Sequence, residues 1–207
     1  MQNPMEAQPK ARKEEILDVA TRLFAERGYE GTSMNDVAER VGMRKASLFY
    51  HFATKDALYE AVLDRLVARL QEALETIYAS SGTYAERLDA VTDTVVKVLG
   101  THPYAARLLL REAMDWGPVI RGKLLDRIQL VLEAGAAWVR AGQEQGAFNE
   151  GDPKHFVLSA LGMHFLPFAL GQLVERYTGT DAFDPGFVES RRVALRSQAR
   201  DMHLKKT

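Results

Sequence analysis

Apolar residues recur along this chain at steps of three and four and hardly ever in alternation, so the pattern predicts helices from end to end. The first spans residues 10–27, with Ile16, Ala20, Leu23 and Phe24 on one stripe, and Gly28 follows where a helix commonly ends in a left-handed residue. Gly31-Thr32-Ser33 reads as a turn, and Ser33 and Asp36 have the spacing of a capping box. Val37, Ala38 and Val41 give a short second helix its inner face, and Gly42 ends it. Leu48 and Phe52, four apart, hold a third helix against the first two. Thr54 then caps a long fourth helix in which Leu58, Val62, Leu66, Leu70 and Leu74 form an unbroken row, closed by Ser80-Ser81-Gly82.

Breakers and periodicity divide the remainder into five helical segments, at about 84–99, 103–116, 118–145, 153–177 and 185–205, with prolines near four of the starts. Almost every position between 156 and 174 is apolar, so that helix must be covered on several sides. Pro167 within it cannot donate to the Met163 carbonyl, which predicts a kink. The fold expected is therefore all-α, about nine helices, with a three-helix helix-turn-helix head on a larger bundle. Residues 1–9 are expected to be a flexible tail, 10–56 the head and 57–207 the body.

Composition adds little to this and excludes some alternatives. Apolar residues at 46% and charged residues at 27% of 207 suit a soluble globular protein. Without cysteine there is no disulfide framework and no thiolate metal site, which fits a reducing cytosol. The N-terminal residues do not resemble a signal peptide, and no apolar run reaches the length of a membrane span, so a cytoplasmic protein is expected.

Charge matters by distribution. The net value is -1, and the nine Lys and Arg of residues 1–58 are matched by nine acids. From Arg44 to Lys55, however, there are three cations and no acid. The third helix carries Arg44 and Lys45 at its positive end, then Ser47, Tyr50 and His51, each able to reach a phosphate or a base edge. Ala46 and Ser47 are small enough to let its backbone approach the bases. Such a helix suits the major groove of double-stranded DNA, with contacts resting on a small patch rather than a broad basic face.

Gly42, Lys45, Ala46, Ser47, Leu48, Phe49-Tyr50-His51-Phe52, Lys55, Asp56 and Ala57-Leu58 together resemble, in order and spacing, the N-terminal domain of the TetR family of transcriptional regulators. The resemblance extends upstream through Ile16, Ala20, Phe24, Gly28, Thr32, Ser33 and Ala38. It implies a ligand-responsive regulator, most often a repressor, released from a palindromic operator when a small molecule binds the body. It also implies DNA contacts from Thr32, Ser33, Arg44, Lys45, Ala46, Ser47, Phe49, Tyr50, His51 and Lys55. Two positions depart from the family pattern. Arg44 stands where Ser usually caps the recognition helix, and Phe49 replaces a Tyr, removing a phosphate-binding hydroxyl.

In the body, Val95, Leu99, Leu110, Met114, Trp116, Trp138, Met163 and Phe168 are candidates to line an apolar ligand cavity, with His164 as the polar residue pointing inward. Phe165, Leu173, Phe187, Leu195 and Met202 are too many apolar groups for peripheral helices facing water, so they are candidates for a homodimer interface. Histidines 51, 102, 155, 164 and 203 have no i±4 or HExxH partners, and no Gly-rich phosphate loop occurs. Neither catalysis, a metal nor a cofactor is expected. A helical protein-interaction module without specific DNA binding, or a small-molecule-binding enzyme, are the other readings.

Overall fold

The computed structural model describes residues 4–115, 122 and 124–205, with side chains from residue 11 onward. Among these residues the chain forms ten helices and no strand. They are α1 (Pro4–Arg27), α2 (Met34–Val41), α3 (Lys45–His51), α4 (Lys55–Tyr78), α5 (Tyr84–Thr101), α6 (Ala105–Asp115), α7 (Leu125–Glu144), α8 (Pro153–Ala169), α9 (Gly171–Thr178) and α10 (Pro185–His203). The first helix begins at Pro4, so the segment expected as a tail is helical from there on. Proline is tolerated at the first helical position, and Met5, Glu6, Ala7 and Gln8 are helix formers.

The additional helix comes from the segment expected as 153–177, which is broken into α8 and α9 at a bend of 76°. The break falls at Leu170, three residues past Pro167. The Met163 carbonyl that Pro167 cannot serve accepts a hydrogen bond from Arg191 Nη2 of α10 at 2.9 Å. The interrupted helix is thus satisfied from outside, as a buried carbonyl requires.

The chain divides into two compact units, Met1–Leu66 with Leu108–Leu124, and Val67–Arg107 with Leu125–Thr207. The division falls inside α4, after Leu66 rather than after Asp56. Leu58, Tyr59, Val62 and Leu63 are all buried, and the Tyr59 hydroxyl donates to the Glu112 carboxylate at 2.9 Å. Arg65 reaches back to Glu14 and Asp18 of α1 at 3.1 and 2.8 Å.

In the first unit, Ile16, Leu17, Ala20, Leu23 and Phe24 of α1 are buried, as are Met34, Val37, Ala38 and Val41 of α2. Ser33 caps α2 as a capping box, its hydroxyl accepting from the Asp36 amide while its own amide donates to the Asp36 carboxylate. The Ser33 hydroxyl and amide hold Asp36 below the usual carboxylate range. Gly42 ends α2 in the left-handed region, φ 70° and ψ 38°, which turns the chain directly into α3.

In the second unit, α5 packs most extensively on α10. Asp89 and Asp93, one turn apart on α5, face Arg192, Arg196 and Arg200 at the same spacing on α10. Arg196 Nε donates to Asp93 at 2.6 Å, Arg192 Nη1 to Asp93 at 3.1 Å, and Arg200 Nη2 to Asp89 at 2.6 Å. Tyr84, Leu88, Val139, Phe148 and Ala199 form a core cluster against which Trp138 and Phe156 pack. Gly142 is required there: a Cβ at this position would lie 2.3 Å from Cδ2 of the Phe148 ring. Thr83 and Glu86 form a second capping box, at the start of α5.

Candidate nucleic-acid interface and body cavity

The α3 helix has two distinct faces. Leu48 and Phe52 are 0% and 5% exposed and anchor it, whereas Tyr50 is 89% exposed. Arg44, Lys45, Ala46, Ser47 and Phe49 are exposed on the side away from that anchor, and His51 is half-buried. Arg44 precedes the helix in extended backbone, φ -70° and ψ 143°, and makes no capping hydrogen bond. Its side chain is therefore not committed to the helix it introduces. The Lys45 ammonium lies 5.8 Å from the centre of the Phe49 ring, and the Tyr50 and His51 rings meet edge to face at 5.6 Å.

Lys55 opens α4 directly after the Thr54 cap, whose hydroxyl accepts from the Ala57 amide at 3.0 Å. Its ammonium sits 4.0 Å from the centre of the Tyr29 ring, a cation–π contact that holds it in place. The Tyr29 hydroxyl donates to Asp56, and partial burial together with that carboxylate pushes Tyr29 up to about 12. Tyr29 thus stays neutral and keeps Lys55 and Asp56 in order, a role that the sequence pattern did not reveal.

One expected DNA contact is corrected. Thr32 is 1% exposed, and its hydroxyl lies 2.9 Å from the Gly28 carbonyl and 3.1 Å from the Leu23 carbonyl. It closes the turn after α1 instead of facing outward. Ser33 is exposed, with its hydroxyl engaged in the α2 cap.

The second unit contains a cavity of about 120 Å³ lined by side chains of α4, α5, α7, α8 and α10. Of the ligand candidates, Val95, Trp138 and His164 line it. Leu99 and Phe168 are buried away from it, Phe168 with its ring centre 5.9 Å from that of Phe183, and Met163 is half-buried outside it. Leu110 and Met114 belong to the first unit, and Met114 is 82% exposed. Trp116 lies outside the described residues.

The interface candidates divide as well. Phe165 is 7% exposed and lines the cavity, and Leu195 is 0% exposed, so both are already covered within the chain. Periodicity marks them as buried without saying by what. Leu173 and Met202 are 61% and 48% exposed, and Phe187 is half-buried. Tyr78, Phe148, Phe156 and His203 also line the cavity. The spacing Leu195, Ala199, His203 along the buried face of α10 was the sequence signal for the last of these.

Residues 16–62 match the model of the tetR family of bacterial regulatory proteins. The match covers the head of the chain, which resembles the DNA-binding domain of that family. Over 182 residues it is 29% identical to the HTH-type transcriptional regulator RutR of Escherichia coli (strain K12), covering 86% of this chain and 83% of RutR. Among solved structures, the ketosteroid transcriptional regulator KstR2 of Mycobacterium tuberculosis superposes with a TM-score of 0.77 at 20% identity, covering 94% of this chain and 96% of that one. AibR in complex with isovaleryl coenzyme A and operator DNA gives 0.72 at 21% identity, covering 90% of this chain and 97% of AibR. The exposed face of α3 lies within the matched residues 16–62, and the cavity lies outside them.

Proposed function

We propose that this protein is a ligand-responsive transcriptional regulator of the TetR family, acting in the cytoplasm as a homodimeric repressor of a palindromic operator. The observation that carries this reading is the exposed face of α3, where Arg44, Lys45, Ala46, Ser47 and Tyr50 stand free of acidic neighbours on an anchored helix introduced by a left-handed glycine. A helix of this kind inserts in the major groove, while His51 and Lys55 meet the phosphates. One head covers only a few base pairs. A symmetric dimer places two recognition helices in half-sites about 34–36 Å apart. Leu173, Phe187 and Met202 supply apolar contact area for the dimer.

A small molecule entering the body cavity releases the operator. The α4 helix contributes Leu58, Tyr59, Val62 and Leu63 to the head core and Leu70, Leu74 and Tyr78 to the cavity wall, so displacement of its second half is transmitted along one continuous helix. Effector and DNA then oppose one another through a reciprocal coupling free energy. Fluorescence anisotropy on labelled DNA flanking the protein's own gene tests the reading. Saturable, sequence-dependent binding that weakens linearly in log affinity against log salt is expected. Equal affinity for operator and scrambled DNA at fixed salt would overturn it.

A further inference from the structure

The wall of the body cavity is apolar except for a few groups that the chain itself leaves unsatisfied. His164 and His203 both line it and are 4% and 6% exposed. The His164 Nδ1 lies 2.7 Å from the Ala160 carbonyl. In the neutral ring that nitrogen carries the proton, which leaves Nε2 as an acceptor on this cavity-lining residue. This Nε2, both ring nitrogens of His203 and the indole nitrogen of Trp138 are buried without a hydrogen-bond partner among the described residues. Such groups are costly to leave unsatisfied.

Charge and size narrow what could satisfy them. Burial drives both histidines toward the neutral form, Arg191 adds to this at His164, and His164 adds to it at His203. Among the described residues, no Lys, Arg, Asp or Glu lines the cavity. An anion would therefore be desolvated with no counter-charge in direct contact, a heavy penalty. The volume of about 120 Å³ is slightly below that of a dry engineered cavity of about 150 Å³ that holds benzene. Aromatic rings of Tyr78, Trp138, Phe148, Phe156 and Phe165 provide the flat apolar surfaces.

We propose that this cavity binds a small neutral alcohol or phenol, of about six or seven non-hydrogen atoms, whose hydroxyl donates to His164 Nε2 and accepts from a ring N–H of His203. A hydroxyl is the smallest group that both donates and accepts, and the free tautomer of His203 adjusts to it. The proposal rests on the cavity being the effector site of the regulator.

The full-length protein is titrated at neutral pH with phenol, toluene and benzoate by isothermal calorimetry, with operator affinity measured separately in the absence of ligand. Phenol is expected to bind at least about tenfold more tightly than either of the others, the difference made by paired polar groups. Replacement His164→Leu is expected to keep toluene binding and erase the preference for phenol. Equal binding of phenol and toluene, tighter binding of benzoate, or no binding of any of the three by the wild-type chain overturns the proposal. Operator binding with no phenol preference overturns the ligand assignment alone, whereas phenol selectivity without operator binding overturns the regulator reading alone.

Discussion

Arg44 is the residue at which the head departs most consequentially from the TetR-family pattern it resembles. Its backbone starts α3, yet its guanidinium caps nothing, so the helix end is stabilised only by backbone bonds from Ser47 and Leu48 to the Arg44 carbonyl. A long cation in place of a short cap exchanges local helix stability for reach toward a phosphate or a guanine edge. Arg44→Ala is therefore expected to weaken operator binding by at least about 1 kcal/mol in an anisotropy titration at fixed salt, with thermal stability nearly unchanged. An unaltered operator affinity would refute the contact. Phe49 reinforces the argument, since its ring offers no hydroxyl to DNA and instead lies beneath the Lys45 ammonium. Both exceptions were legible from residue identity alone. The burial of Thr32 was not, because a threonine in a turn looks the same whether its hydroxyl meets water or the carbonyls of Leu23 and Gly28.

Among elements, the meeting of α7 with the loop that follows it depends on one missing methyl group. A Cβ on Gly142 would intrude on Phe148 and come within 3.0 Å of the Tyr84 ring. Gly142→Ala is expected to destabilise the fold by about 1–3 kcal/mol, read from urea denaturation, despite the better helix propensity of alanine. The α5–α10 pairing rests on charge instead. Burial opposes ionisation of Asp93, but hydrogen bonds from Arg196 and Arg192 more than offset this and hold its carboxyl below the usual range. The stabilisation is fully present above the unfolded carboxylate value of about 3.9 and is lost as pH falls through the lower folded value. Because these side chains remain about one-third exposed, Asp93→Asn is expected to cost only about 1 kcal/mol at neutral pH. That loss should shrink at high salt in the same denaturation measurement. Element ends within the head follow local rules that sequence displays directly. The α8–α9 break is different, since Pro167 announces a lost hydrogen bond but Arg191, 24 positions later in the chain, supplies the replacement.

For the molecule as a whole, the buried histidines give stability a distinct pH signature. In the unfolded chain each takes up a proton near pH 6.5, whereas in the fold burial keeps His164 and His203 neutral to lower pH. Below about pH 6.5 the unfolded state binds more protons, so stability falls with acidification until the folded values are reached. The melting temperature is expected to drop between pH 7.5 and pH 5.5, and less so in a His164→Leu, His203→Phe variant compared by calorimetry. A drop of the same size in that variant would place its origin in other groups. The cavity that these residues line is equally a property of the whole, since it is walled by side chains from five helices.

Sequence by itself determined the all-helical fold, the capped and glycine-ended helices of the head, and the ordered residues from Gly42 to Leu58 that carry the family resemblance. These depend on interactions within a few residues, where spacing is geometry: a capping box closes over three positions and a helix face repeats every three or four. Only the tertiary structure decided which apolar side chains face the cavity, the core or the solvent. Periodicity assigns Phe165, Leu195 and His203 a buried face, but the identity of the neighbour across that face depends on distant helices. For the same reason His203, whose partnerless ring was invisible in the pattern, became half of a candidate effector site only when α10 was folded against α8.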